Sequence, residues 1–140
     1  MTTISPLIRP ETRHLIGIAQ LYRDQGWWPA APDHLDIVVR IVVGSHCFFV
    51  AEAGAAVVGM GRAISDGVSD AYIQDVTVAL DHPRRGIGTR IVEAILARLT
   101  ADGLDWIGLI AEEGAGAIYR HLGFSPMAGA VAMRRTADSP

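Results

Sequence analysis

Residues 76–90 read Val76-Thr-Val-Ala-Leu-Asp-His-Pro-Arg-Arg-Gly-Ile-Gly-Thr-Arg90. The first residues are apolar and β-branched, which predicts the end of a strand, and an isoleucine or leucine then recurs every four residues from Ile87 to Leu99. This spacing predicts a helix from about Gly86 to Thr100. Glycines in its first turn let a ligand approach the backbone, and the unpaired N–H groups there lie at the positive end of the helix dipole. The stretch therefore predicts a phosphate-binding turn between a strand and a helix.

Arg84 and Arg85 directly precede this turn and would add two guanidinium groups for a phosphate. Two glycines at a helix start are also typical of a tight turn without a ligand, and this stretch alone leaves that alternative open. A dinucleotide-binding fingerprint would place a third glycine at position 91, which is Ile91. A Walker-type loop needs a lysine, and the chain contains none. A nucleotide-binding α/β domain is therefore the weaker alternative.

The sequence on both sides of this turn alternates between the helical and the strand period. Helices are predicted at about 11–26, 35–42, 86–100 and 115–122, and strands at about 47–52, 55–64, 71–78 and 104–110, with further strand material at Phe124 and 130–134. With a first strand placed ahead of the first helix, the resulting order is β-α-α-β-β-β-α-β-α-β. Hairpins before residue 71 predict antiparallel pairs, and the strand–helix–strand unit over 71–110 predicts a parallel pair. A mixed α/β sheet is therefore expected.

Length and composition predict one domain over residues 1–140, with half of its residues apolar. The net charge of -3 argues against a nucleic-acid binder. The apolar stretches fall short of the ~20 residues of a membrane span, so no membrane partner is expected. The N-terminus lacks the pattern of a secretory signal, which favours a cytoplasmic protein. A lone Cys47 and histidines without metal-ligand spacing predict neither a disulfide nor a metal site.

A second informative segment is Ala115-Gly-Ala-Ile-Tyr-Arg-His-Leu-Gly-Phe124, in which Tyr119 lies on a short predicted helix. Taken alone, this segment is also consistent with a structural role in which Tyr119 is a half-buried core residue. Together with Arg84-Arg85-Gly86-Ile87-Gly88, and in this order of strands and helices, it resembles the Gcn5-related N-acetyltransferase (GNAT) family over nearly the whole chain. The resemblance implies the GNAT acyl-CoA N-acyltransferase fold, an α/β (α+β) domain with a mixed, mostly antiparallel sheet, a central parallel pair and flanking helices.

The resemblance implies acetyl-CoA as co-substrate and no metal. The coenzyme-binding positions that it implies are Val76, Thr77 and Val78 for the pantetheine arm, and Arg84, Arg85, Gly86, Ile87, Gly88 and Thr89 for the pyrophosphate. In the family, the strand before the turn is bulged and splayed from its neighbour. Two positions depart from the family pattern. Pro83 replaces a Gln or Arg and has no N–H to donate, and Glu112-Glu113 stands where an Asn often precedes the later helix.

For chemistry, the resemblance implies N-acetyl transfer to a primary amine in a ternary complex, with a backbone N–H near Val78 polarising the thioester carbonyl. Tyr119 is expected to act as general acid toward the leaving thiolate. The base that deprotonates the amine is open among Asp75, Gln74 through water, Tyr72 and Glu112. Gln74 and Asp75 face opposite sides of a regular strand, so only one of them would face the coenzyme slot unless a bulge intervenes.

The sequence does not identify the acceptor amine, which ranges from small-molecule amines to peptide amines. Trp27 and Trp28 lie where the family walls the acceptor pocket, and they suit an aromatic or cationic amine. A dimer contact or a lid on the core is the alternative for this pair. Tyr72 and Gln74 are further candidate substrate-binding residues. A homodimer is frequent in the family, and a non-catalytic acyl-CoA-binding or regulatory module with the same fold is the alternative function.

Overall fold

The computed structural model describes residues 1–29, 35–82 and 86–137. The chain divides into two compact units, Met1–Leu109 and Ile110–Pro140, which are described separately below. The single domain over residues 1–140 stays a prediction.

The first unit is built on a five-stranded sheet in the order β1-β2-β3-β4-β5. Its strands are β1 (Thr2–Pro6), β2 (Cys47–Ala53), β3 (Ala56–Ser65), β4 (Asp70–Val78) and β5 (Trp106–Leu109). Neighbouring strands pair antiparallel except β4 and β5, which are parallel. The predicted mixed, mostly antiparallel sheet is therefore confirmed. Among the described residues, however, the parallel pair lies at one end of the sheet and not at its centre, because β5 is the last strand in the order.

Helices cover both faces of this sheet. They are α1 (Thr12–Asp24), α2 (Leu35–Gly44) and α3 (Ile87–Ala101). Ile18 of α1 and Val38 of α2 share a buried cluster with Met60 of β3, whereas Ile91 of α3 lies against the neighbouring Gly61. Since successive residues of a strand face opposite sides, α1 and α2 pack on one face and α3 on the other. In the described part of the chain, no helix is long and apolar enough to span a membrane.

Gly61 gives the first testable prediction, because α3 packs directly on its backbone. A methyl group at this position would lie 2.7 Å from Cγ2 of Ile91 and 3.1 Å from Cγ2 of Val76. We expect Gly61→Ala to lower the free energy of unfolding by about 1–3 kcal/mol through overpacking, as measured by urea denaturation. Gly44→Ala, where no described residue lies within 4 Å of the added methyl group, is the control and should change stability little. Equal stability of the two variants would contradict the close packing.

The second unit contains one helix among its described residues, α4 (Gly116–His121). The predicted left-handed end of this helix is confirmed, since Gly123 has a φ of 96°. The strand predicted at Phe124 and 130–134 is wrong for the described residues, which carry no strand after β5. A strand needs a ladder partner, whereas the backbone bonds here are local turns, such as those from Phe124 N–H to the Tyr119 carbonyl and from Ala130 N–H to the Met127 carbonyl.

Candidate active site

A bulge interrupts β4 near its carboxyl end. Met60 pairs with Thr77 and Arg62 pairs with Gln74, so two steps along β3 face three steps along β4. The additional residue lies at Asp75, which has a φ of 61° and is the one non-glycine among the described residues with a positive φ. A bulge bends a strand and redirects its side chains. The family feature of a bulged strand before the glycine turn is therefore present.

Beyond the bulge, β4 continues past the last residue that pairs with β5. Their parallel pairing runs from Asp70↔Trp106 to Ile73↔Leu109 and goes no further. On this side of β4, no strand pairs with residues 74–78 in the part of the chain that the structure describes. On the other side, Thr77 and Val78 still pair with β3. One backbone edge of Val76, Thr77 and Val78 therefore has no strand partner among the described residues and suits an added extended segment, while the splay itself stays a prediction.

The Asp75 carboxylate receives two hydrogen bonds on one oxygen. The Tyr22 hydroxyl donates to Oδ2 at 2.7 Å, and Nε of Arg62 donates to the same atom at 2.7 Å. No hydrogen bond from a described residue reaches Oδ1. The side chain keeps 22% of its surface exposed. Asp75 is therefore an anchored carboxylate with one oxygen that accepts no hydrogen bond from the described residues.

Arg62 connects Asp75 to its neighbour Gln74. Its guanidinium donates to Gln74 Oε1 and to the Ser45 hydroxyl, each at 3.4 Å, besides the bond to Asp75. Gln74 and Asp75 would face opposite sides of a regular strand. Because the bulge intervenes between them, both side chains reach the same guanidinium. The bulge that would allow Gln74 and Asp75 to face the same side is therefore present. Both side chains lie on the sheet face that α1 and α2 cover.

The tandem tryptophans lie at the end of α1, against Tyr22. The rings of Trp28 and Tyr22 stack at 4.3 Å with an interplanar angle of 5°, and Trp27 lies tilted at 6.0 Å. Tyr22 itself is 3% exposed, whereas Trp27 is 38% exposed. The structure therefore brings Trp27, Trp28 and Asp75 together through one buried tyrosine.

Tyr72, another candidate, lies on the same face of β4 as Gln74 and packs against β5. Its ring is 5.4 Å from that of Trp106, at an interplanar angle of 59°. The pair is accommodated by Gly108, because a Cβ there would lie 2.9 Å from the Trp106 ring. Among the described residues, the ring contact of Tyr72 is with Trp106, so Tyr72 is an aromatic position on β4 separate from the Asp75 cluster.

The glycine turn lies at the end of β4, as predicted. Gly86 precedes α3 with a φ of 74°, a conformation that glycine adopts without strain. A Cβ at Gly88 would lie 3.9 Å from Cγ2 of Val78, which places the first turn of α3 beside the carboxyl end of β4. The first N–H groups of this helix, including those of Ile87, Gly88 and Thr89, have no partner one turn earlier within the helix. Arg84, Arg85 and Pro83 lie outside the described residues.

Tyr119 belongs to the second unit, on α4. Its ring contacts Phe124 edge to face at 5.9 Å. Burial raises the pKa of the Tyr119 hydroxyl, and the Glu112 carboxylate raises it further. The group therefore stays protonated at neutral pH, as a proton donor must.

Sequence reasoning missed Tyr22 and Arg62 as site residues, because Tyr22 fitted the apolar period of α1 and Arg62 lies within an apolar strand. One signal was present. A single charge within an apolar strand needs a buried partner of opposite sign, and Asp75 on the next strand is the carboxylate that supplies it.

Tyr22 gives a second prediction, on pH and stability. Burial and the Asp75 carboxylate raise the pKa of its hydroxyl well above the usual value. Above about pH 10 the unfolded chain therefore loses this proton while the native chain keeps it. The free energy of unfolding should fall there by up to about 1.4 kcal/mol per pH unit from this group. Urea denaturation between about pH 8 and pH 11 should show a shallower fall for Tyr22→Phe, and parallel profiles would contradict the assignment.

Comparison with known proteins connects this geometry to one family. A family model described as "Acetyltransferase (GNAT) domain" matches residues 44–126, which include the bulge, the glycine turn and Tyr119. Serotonin N-acetyltransferase 2, chloroplastic, of Oryza sativa subsp. japonica is 37% identical over 68 residues, which are 49% of this chain and 34% of that protein. The match thus spans about a third of the length of the rice relative.

Solved structures agree in fold over nearly all of the chain. An acetyltransferase of the GNAT family from Streptococcus pneumoniae TIGR4 has a TM-score of 0.75 and 25% identity, with 97% of this chain and 100% of that chain covered. A predicted acetyltransferase with acetyl-CoA from Clostridium acetobutylicum has a TM-score of 0.72, covers 96% of both chains and is 12% identical. Because its identity is 12%, the similarity to the Clostridium acetobutylicum protein concerns the fold alone.

Proposed function

The chain belongs to the GNAT family of acetyltransferases, and on that premise we propose that it moves the acetyl group of acetyl-CoA to a primary amine. The observation that carries the proposal is the junction of β4 and α3. There, a strand edge with no strand partner among the described residues ends beside the turn of Gly86 and Gly88, where the first N–H groups have no partner within the helix. An extended arm that ends in a pyrophosphate matches both halves of this surface, because the strand edge offers backbone hydrogen bonds and the helix turn offers an anion site.

Acetyl-CoA is the substrate that supplies the acetyl group, as a thioester. Its pantetheine arm would pair with the backbone of Val76, Thr77 and Val78, and its pyrophosphate would bind the N–H groups of Gly86, Ile87, Gly88 and Thr89. Arg84 and Arg85 would add charge at the same end. No described residue other than its neighbours in the chain lies within 4 Å of a Cβ at Gly86.

Transfer follows from attack of the neutral amine nitrogen on the thioester carbonyl carbon in a ternary complex. A C–N bond forms, the carbonyl becomes an oxyanion, and the C–S bond then breaks. A backbone N–H near Val78 stabilises the oxyanion. Asp75 takes the proton from the amine through its free oxygen Oδ1, directly or across a water, and Tyr119 gives a proton to the leaving thiolate. Each proton transfer is typically worth about 10²–10⁴ in rate.

The acceptor would lie along the aromatic side of the site. Trp27 and Trp28 offer ring faces to an apolar or cationic amine, and Tyr72 and Gln74 extend the surface along β4. The anionic Asp75 favours an acceptor that arrives as an ammonium ion. The name of the rice relative adds an arylalkylamine, serotonin, to the amines worth testing.

A free-thiol assay tests the proposal directly. The protein is incubated with acetyl-CoA and a panel of amines, comprising serotonin, a polyamine, an aminoglycoside and a peptide with a free N-terminus. We expect amine-dependent release of coenzyme A and an N-acetylated product by mass spectrometry. Binding of acetyl-CoA with no turnover across the panel would instead indicate a non-catalytic acyl-CoA-binding module. No binding and no turnover would contradict the proposal.

A further inference from the structure

Asp75 holds a backbone conformation that needs support from its surroundings. Its φ of 61° lies in the left-handed region, which residues with a side chain adopt mainly where local bonds support it. Such a conformation persists only where neighbouring contacts fix it. Those contacts lie at the carboxylate, because Tyr22 and Arg62 both donate to Oδ2 at 2.7 Å.

The two donors come from different layers of the molecule. Arg62 lies on β3, next to β4 in the same sheet, so its bond ties one strand to its neighbour. Tyr22 lies on α1, 53 residues away in sequence, and its bond ties the bulge to the helical layer above the sheet. Among the described residues, Tyr22 supplies the bond from a helix to this carboxylate. The hydroxyl of Tyr22 is therefore placed to fix the position of the bulged backbone relative to α1.

The Tyr22 ring is itself fixed. It is 3% exposed and belongs to the buried cluster of α1, α2 and β3. One ring face is covered by Trp28, stacked at 4.3 Å. A ring held on its sides in this way has little freedom, so its hydroxyl is a rigid donor. Burial raises the pKa of that hydroxyl, which keeps its proton in place across the neutral pH range.

We propose that Tyr22 is a positioning residue that holds the β4 bulge, and with it the free backbone edge of Val76–Val78, in the conformation that binds acetyl-CoA. The same ring supports Trp28, so one residue aligns the coenzyme strand with the aromatic wall of the acceptor side. The inference rests on the proposed function, since it assigns the coenzyme to that strand edge. The hydroxyl of Tyr22 contacts Asp75 and touches neither the coenzyme nor the acceptor, so Tyr22 acts through Asp75.

Calorimetric titration of acetyl-CoA into wild type and Tyr22→Phe tests this role without the acceptor amine. Phenylalanine keeps the ring and its stack on Trp28 and removes only the hydroxyl. Loss of this hydrogen bond to a charged group lowers the population of the binding-competent bulge, so the Kd should rise about tenfold or more. The binding stoichiometry should not change, because the variant stays folded. A loss of folded protein alone would lower the stoichiometry and leave the Kd as it is.

His46→Phe is the matched control. Nε2 of His46 lies 2.7 Å from Oδ2 of Asp102, and Nε of Arg98 donates to that same oxygen at 2.8 Å. As at Asp75, one carboxylate oxygen contacts both a ring side chain and an arginine. Asp102 lies at the C-terminal end of α3, about 20 Å from the glycine turn at the N-terminal end. The control removes one bond of the same kind while keeping a ring. We expect its acetyl-CoA Kd to equal that of wild type.

Asp75→Gly completes the test, because glycine keeps the left-handed conformation and removes the acceptor of the Tyr22 bond. If Tyr22 acts through Asp75, Tyr22→Phe in this background should leave the Kd unchanged, so the two effects do not multiply. A tenfold effect in both backgrounds, or an equal Kd for Tyr22→Phe and wild type, would overturn the inference and leave the proposed function standing. Absence of binding by wild type would overturn both.

Discussion

Tyr119→Phe is expected to lower the turnover number of acetyl transfer by about 10²–10⁴, the usual contribution of a positioned general acid. Phenylalanine keeps the edge-to-face contact with Phe124 and removes only the hydroxyl. The Kd for acetyl-CoA should not change, because the proton is needed when the C–S bond breaks and not when the coenzyme binds. The measurement is the rate of thiol release with the best amine of the panel, alongside calorimetry.

The pH dependence of the same reaction provides a second check on Tyr119. Burial and Glu112 raise the pKa of its hydroxyl above the usual value of about 10. A general acid loses activity as pH rises through its pKa, so wild type should show no loss from this group below about pH 10. Turnover of Tyr119→Phe within twofold of wild type would contradict the assignment of Tyr119 as the acid.

Gly88→Asp is expected to weaken acetyl-CoA binding by about 100-fold or more while the protein stays folded. A carboxylate in the first turn of α3 would stand where the pyrophosphate is proposed to bind, and like charges repel strongly at such distances. The same carboxylate lies at the positive end of the helix dipole, which stabilises a helix by about 0.3–1 kcal/mol. Stability and binding should therefore change in opposite directions, as measured by urea denaturation and calorimetry.

Gly88→Ala separates the effect of charge from the effect of size. A Cβ at Gly88 meets the protein only in ordinary contact, 3.9 Å from Val78, so alanine fits the fold. We expect this variant to be slightly more stable than wild type and to bind acetyl-CoA more tightly than Gly88→Asp does. Equal affinity of Gly88→Asp and wild type would mean that the anion site lies elsewhere.

The sheet and helices of the first unit could be predicted from the sequence because each has a clear period or turn. The four-residue repeat of α3 from Ile87 to Leu99 predicted its extent to within a residue or two. Gly54, with a φ of 60°, lies in the predicted turn between β2 and β3. The strand expected after α4 was wrong, because a strand depends on a partner and the local pattern does not contain one. The position of β5 at the end of the described sheet likewise depends on pairing between distant segments.

The candidate site was predictable only in its local parts. The glycine turn and the run from Gln74 to Val78 are contiguous in sequence, so spacing and family resemblance predicted them. The bond between Tyr22 and Asp75 spans 53 residues, and the bond between Arg62 and Asp75 spans 13. The Tyr22 contact depends on how α1 packs on the sheet, and the Arg62 contact depends on the register of β3 against β4, which the bulge shifts by one residue. Alternation alone placed Gln74 and Asp75 on opposite faces, whereas the bulge brings both to Arg62.

Calorimetric titration of acetyl-CoA into the wild-type protein, with NAD and ATP as controls, tests the central claim most directly. The claim is that the edge of β4 at Val76–Val78 and the glycine turn of α3 form an acetyl-CoA site. We predict binding of one acetyl-CoA per chain at micromolar concentrations, and none of NAD or ATP under the same conditions. No heat of binding with acetyl-CoA, or equal binding of all three compounds, would contradict it.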